Sequence, residues 1–338
     1  MTPQDKKTAP YQSLMKSLPL LQRMAYWPLL LTMKGLARMP LGALYPLSDG
    51  LAWILRNIVG YRVKTVRENL AACYPDLSQK ELKKIEKQFY LQFTDYFFET
   101  IKLLHISDEE IKRRMVFDNI ELIDSLFDRG KSIVTYFSHT GNWEWAPSVT
   151  LWSRYALNNE ADFCQVYRPL KNKWFDALFL HLRSRFHPRS FPKHTVFRDL
   201  LLLKRDKRLS ITGFMSDQKP SHGDPTHVMM FLNRPTAMIT GTETVCRRLD
   251  MAAIYWDMQK TSRGHYRINV KLLSDDVTKL PPMALTEMYA ASLQKTINAN
   301  PSLWLWSHKR WKIPVTLPQK TDHNEQSIDS SNNPQLER

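Results

Sequence analysis

Residues 131 to 147 read KSIVTYFSHTGNWEWAP. An apolar, β-branched run from Ile133 to Phe137 stops at Ser138-His139, and Glu144 follows five residues later between two tryptophans. A carboxylate on one imidazole nitrogen fixes the tautomer and makes the other nitrogen a better base. Within a regular helix, five residues would set the two side chains about 140° apart, so the pair needs a strand-to-helix turn. The pattern predicts one, with His139 at the carboxyl end of a sheet strand and a helix starting near Asn142, which puts Glu144 in its first turn. Amides at that helix start would favour negative charge on a reacting oxyanion. The reaction that uses this arrangement is attack of an activated hydroxyl on an acyl carbonyl. By spacing alone, a histidine with a purely structural hydrogen bond accounts for the same residues, and more often does.

The elements that must hold this pair follow from periodicity. Residues 61 to about 128 show apolar positions at three and four spacing, with Ser78 and Glu81 forming a capping box. From 131 the texture changes to short strands (132–138, 162–168, 209–215 and 227–232) and a hairpin across Ser262-Arg263-Gly264. Helical patterns fill the gaps at 172–186, 195–205, 240–249 and 284–299. Strands alternating with helices predict an α/β fold, a mixed sheet sandwiched by helices. Residues 1–12 read as a flexible N-terminus, 13–60 as an apolar, basic helical segment, 61–314 as the main domain and 315–338 as a polar, disordered tail.

Composition narrows the class. The net charge of +15 favours anionic partners. Ten tryptophans and thirteen tyrosines beside that charge suit either a membrane interface or single-stranded nucleic acid. Three scattered cysteines argue against a disulfide framework and a zinc site and fit a reducing cytoplasm. Neither GxGxxG nor GxxxxGK[ST] occurs, and no HExxH or comparable cluster indicates a metal. No cofactor is implied. Met24 to Met33 is uncharged, but Lys34 and Arg38 interrupt it, and Met39 to Leu55 carries two prolines and Asp49. Neither run reaches the roughly 20 apolar residues that cross a bilayer. The segment reads as interfacial helices with Lys16, Arg23, Lys34, Arg38 and Arg56 toward headgroups; buried core helices are the alternative.

His139-Thr-Gly-Asn-Trp-Glu144 resembles the HxxxxE box of the bacterial lipid A secondary, or late, acyltransferases, within the wider glycerolipid acyltransferase superfamily. Further stretches agree in order: VGYRVKTVRENLAACYPD (59–76), VYRPLKNKWFDAL (166–178), GFMSDQKP (213–220) and PSLWLWSHKRWK (301–312) are each similar to a family segment. The resemblance covers about residues 50 to 312. Asn233 departs from it, standing where the family commonly has glycine. The resemblance implies a glycerolipid-acyltransferase-like fold with a membrane-associated N-terminal segment, on the cytoplasmic face of a bacterial inner membrane. It implies His139 as general base oriented by Glu144, moving a fatty acyl chain from acyl carrier protein onto a hydroxyl of a lipid A precursor.

Binding residues follow by position. Arg168, with Lys171 and Asn172, would clamp an acceptor phosphate or steady the thioester oxyanion; a surface salt bridge is the other reading. Asp217 and Gln218, at the end of the 209–215 strand, would bind sugar hydroxyls or orient Arg168; a turn cap is their other reading. Lys309 and Arg310, among Trp304, Trp306, His308 and Trp311, would meet membrane or substrate phosphates. A packed C-terminal strand with a basic rim is the alternative, and His308 receives no catalytic role. A lysophospholipid or aminolipid acceptor keeps the same chemistry. A non-catalytic protein at anionic membranes is the rival of another class, and the apolar N-terminal 50 residues disfavour nucleic acid.

Overall fold

The structure, a computed structural model, describes residues 19–317. Lys16, the side chain of Arg23, residues 1–12 and the tail beyond Leu317 lie outside the described residues. The chain opens with two helices, α1 (Leu20–Arg38) and α2 (Leu41–Trp53), the second running into a π-helical turn at Ile54–Ile58. α3 (Val63–Cys73), α4 (Gln79–Ile101) and α5 (Asp108–Arg114) follow, and then the α/β part begins with β1 (Met115–Asp118), α6 (Glu121–Asp128) and β2 (Ile133–Phe137). Next come α7 (Arg154–Leu157), β3 (Ala161–Tyr167), α8 (Lys173–Arg183), β4 (Arg189–Pro192), α9 (Val196–Arg205) and β5 (Leu209–Met215). The chain continues through β6 (Thr226–Phe231), β7 (Arg234–Ile239), α10 (Gly241–Leu249), β8 (Ala252–Ser262), β9 (His265–Ser274) and α11 (Ala284–Ala299).

Seven strands form one mixed sheet in the order β1-β9-β8-β2-β5-β3-β4. β8, β2, β5, β3 and β4 run parallel, and the β8–β9 hairpin turns β9 and β1 the other way. β2 therefore sits in the middle, between β5 on one side and β8 on the other, with its carboxyl end at the edge where parallel sheets build sites. Helices cover both faces. One face packs Ile133, Ile211, Phe163 and Ile254 against the α5, α6 and α8 side. The other packs Val134, Tyr136, Phe214 and Tyr255 against α9, α10 and α11. Such near-continuous apolar strands are what a sheet buried on both sides requires.

The expected 227–232 strand exists as β6, but it pairs antiparallel with β7 in a separate two-stranded sheet. β7, β1 and β4 escaped the periodicity because each is only four to six residues long and short runs carry little pattern. Leu232 and Asn233 join β6 to β7 with φ of 48° and 60°, a two-residue hairpin turn that suits asparagine as well as glycine. The Asn233 side chain also donates to the Cys73 carbonyl at 3.0 Å. The Ser78–Glu81 capping box starts α4 as expected.

Among the described residues no helix is long and apolar enough to cross a membrane. α1 is held to the rest by the buried Lys102, whose Nζ donates to the carbonyls of Ala37 at 2.8 Å and Met39 at 3.0 Å. Leu21, Met24, Trp27 and Leu31 of α1 remain exposed, as do Trp53, Ile58 and Val59 further on. Lys34 and Arg38 are exposed beside them. Arg56 is not a headgroup-facing residue: it turns inward to Glu86 at 2.9 Å, which also binds Arg67.

Candidate active site

His139 stands just past the carboxyl end of β2, but no α-helix starts at Asn142. The chain turns instead, and a 3₁₀ helix forms later at Ala146–Leu151. Four hydrogen bonds and a glycine hold this irregular path. Gly141 has φ of 62°, and a Cβ there would meet the Met258 sulfur at 2.8 Å. Its N–H donates to the Leu303 carbonyl, and the Leu305 N–H donates to the His139 carbonyl, both at 3.1 Å. From α4, Glu99 accepts from Asn142 Nδ2 at 2.9 Å through its carboxylate and from Trp145 Nε1 at 3.0 Å through its carbonyl. The two backbone groups, which precede the expected helix start, are met by the C-terminal segment.

The carboxylate on His139 is Asp217, not Glu144. Asp217 Oδ1 lies 2.8 Å from His139 Nδ1, and Oδ2 accepts from the His139 N–H at 3.0 Å and from Trp304 Nε1 at 2.9 Å. Burial pushes the Asp217 carboxyl up, but the His139 ring and these donors outweigh it and hold its pKa below the ordinary value. Asp217 is therefore a carboxylate, and Nδ1 carries the proton that faces it. Nε2 keeps its lone pair and lies 3.0 Å from Gln218 Nε2. The adjacent parallel strands β2 and β5 bring the two residues together by placing both carboxyl ends side by side.

Glu144 answers to a different partner. Its two oxygens bind Arg183 from α8 at 2.8 and 2.7 Å, and Tyr96 reaches it at 3.4 Å. The turn where a helix was expected rotates Glu144 away from the imidazole. The tryptophan between them separates the pair: Trp143 stacks on Tyr96 at 4.1 Å and meets His139 edge-on at 5.0 Å.

His139, Glu144, Arg183, Arg168 and Gln218 all line one cavity of about 500 Å³, a size that suits a small-molecule site. Arg168 is exposed at the end of β3. The other sequence candidates lie elsewhere. Asn172 caps α8, its side chain accepting from the Trp174 and Phe175 amides. Lys171 and Lys309 are exposed and outside the cavity lining. Arg310 is buried behind the site and donates to the Ala237 carbonyl at 2.6 Å; burial pulls its pKa down to about 10. Burial likewise pushes His308 down to about 4. The C-terminal aromatic stretch is thus a packed support, with Trp304 and Trp306 buried. Asn69 of α3 anchors it through the Trp306 and His308 carbonyls.

Sequence reasoning missed Arg183, Trp304 as an Asp217 donor, and Glu99. Arg183 is one of many arginines, and Glu99 lies on a helix forty residues upstream. The Glu99 carboxylate is buried and also accepts from Tyr266 at 2.8 Å. Burial raises its pKa from 4.5 to about 7. The fold therefore prefers the neutral form. Its contribution is fully present below about pH 4.5 and is lost as pH rises through about 7, roughly 3 kcal/mol in all. Glu99→Gln, with the same shape and no charge, is expected to keep its thermal stability between pH 5 and 8 where the parent protein loses it. Melting curves across that range check this.

A family model for bacterial lipid A biosynthesis acyltransferases matches residues 13–313 of the chain. No curated protein matches it.

Proposed function

The chain belongs to the bacterial lipid A biosynthesis acyltransferase family and is an acyltransferase of lipid A type, and from that premise we propose how it works. His139 Nε2 takes the proton of an acceptor hydroxyl once that hydroxyl displaces Gln218. The hydroxyl oxygen attacks the thioester carbonyl of acyl carrier protein, the carbon–sulfur bond breaks, and the proton passes from the imidazolium to the departing thiolate. The product is an acyloxyacyl ester on a lipid A precursor. The observation that carries this reading is the Asp217–His139–Gln218 chain at 2.8 and 3.0 Å, which leaves Nε2 as an acceptor at the cavity. Glu144, with Arg183, shapes the wall beside the base and acts on His139 only through Trp143. Arg168 is the cavity residue suited to an acceptor phosphate or the thioester oxyanion.

The protein would work on the cytoplasmic face of the inner membrane. The exposed apolar residues of α1 and of the turn at 53–59, beside Lys34 and Arg38, suit an amphipathic surface lying in anionic lipid.

A mass-spectrometric transfer assay tests the reading. Acyl carrier protein thioesters would be offered with a phosphorylated disaccharide precursor bearing hydroxyacyl chains, or with a lysophospholipid, in vesicles with and without anionic lipid. One added acyl mass on the disaccharide, faster on anionic vesicles, is expected. Transfer to the lysophospholipid alone would replace the acceptor.

A further inference from the structure

The cavity residues do not belong to one face of the sheet. In the parallel register, Phe163, Ile211 and Ile133 pair across the strands, as do Gln165, Gly213 and Thr135 two residues on, so these side chains share a face. Phe163, Ile211 and Gly213 line the cavity together with Phe137 and Trp256, whose rings lie 5.6 Å apart. On the opposite face, Cys164, Val166 and Phe214 line the same cavity, with Val196 of α9 and Val245 of α10. The space thus descends on both sides of β3 and β5 from the carboxyl edge, where His139 and Gln218 stand. On the first face it runs from Met215 to Ile211, about 13 Å of strand. Gly213 opens that side: a Cβ there would lie 3.0 Å from the Phe137 ring.

We propose that these are two hydrocarbon sites, one on each face of the sheet, holding the donor acyl chain and the acceptor's own chain separately and bringing the donor's carbonyl carbon and the acceptor's hydroxyl oxygen together at His139. The proposal rests on the acyl-transfer reading above and deepens it. A hydroxyl carried partway along an acyl chain leaves a tail beyond the reacting oxygen, and that tail needs an apolar space apart from the donor's. A hydroxyl of an unacylated glycerol or sugar has no such tail and needs one site only. The sheet edge between the two sides keeps the tails from competing for one space.

Chain-length panels for each substrate test this. Gly213→Val narrows one side and Val245→Phe the other; each is expected to lower kcat/KM for the longest chains of one substrate by about tenfold or more while leaving the other substrate's profile in place. The two variants must act on different substrates, and which acts on which reports the assignment. Ile211→Ala and Val196→Ala should shift the same two profiles toward longer chains, which covers a narrowing variant that fails to fold. If both sides move the same substrate's profile, or neither profile moves, the two-site proposal is overturned even though transfer proceeds. Absence of transfer to the hydroxyacyl disaccharide by the parent enzyme overturns the underlying reading instead.

Discussion

Asp217→Asn is expected to fold normally and to lose about 10²- to 10⁴-fold in turnover. The reason lies in which oxygen is committed. Oδ2 accepts from both the His139 amide and the Trp304 indole, so the amide oxygen of the asparagine must take that place. Its NH₂ group then faces His139 Nδ1, which must become the acceptor. The proton moves to Nε2, and the nitrogen aimed at the cavity can no longer accept one from a hydroxyl. The backbone bonds survive, so the melting temperature should change little while kcat and kcat/KM fall together. His139→Ala should fall as far, and the double variant no further, because the two residues act as a unit. A double variant that loses the product of the two single losses would show that Asp217 does something apart from the imidazole.

Glu144→Ala is expected to act first on stability. It strips a carboxylate from Arg183, whose side chain is only 22% exposed, and it leaves the Tyr96 hydroxyl without that partner. Removing one member of a buried ion pair costs about 3–5 kcal/mol because the remaining charge is left uncompensated. Replacing both members by methionines should recover most of the lost stability, since a well-packed apolar pair removes the stranded charge. Chemical unfolding of Glu144→Ala and of the variant with both residues replaced by methionine measures this directly. Turnover separates the carboxylates: Glu144→Gln should keep most of kcat, and Asp217→Asn should lose it. A kcat loss in Glu144→Gln as large as that in Asp217→Asn would return Glu144 to the base.

Much of the arrangement was legible in the order of residues. The β-branched runs at 133–137 and 209–215 are strands because their apolar residues are continuous, as a sheet covered on both faces demands. The 284–299 helix and the Ser78 cap follow from local periodicity and capping, which involve neighbours three and four residues apart. Even the placing of His139 and Asp217 at strand ends was readable, because each stands two residues past the end of its strand.

Which carboxylate meets the imidazole was not. Glu144 is five residues from His139 and Asp217 is seventy-eight, so nearness in sequence pointed to the wrong one. That choice depends on β5 lying next to β2 in the sheet and on Trp304 and Leu305 bracing the site from the far end of the chain. It also depends on a turn where the local pattern favours a helix. The sequence by itself determined the longer strands, most of the helices and the residue types at their ends, because local sterics and burial patterns set those. Only the tertiary structure decided the partners, because a hydrogen bond forms between groups close in space and strand order is settled by packing across the whole sheet.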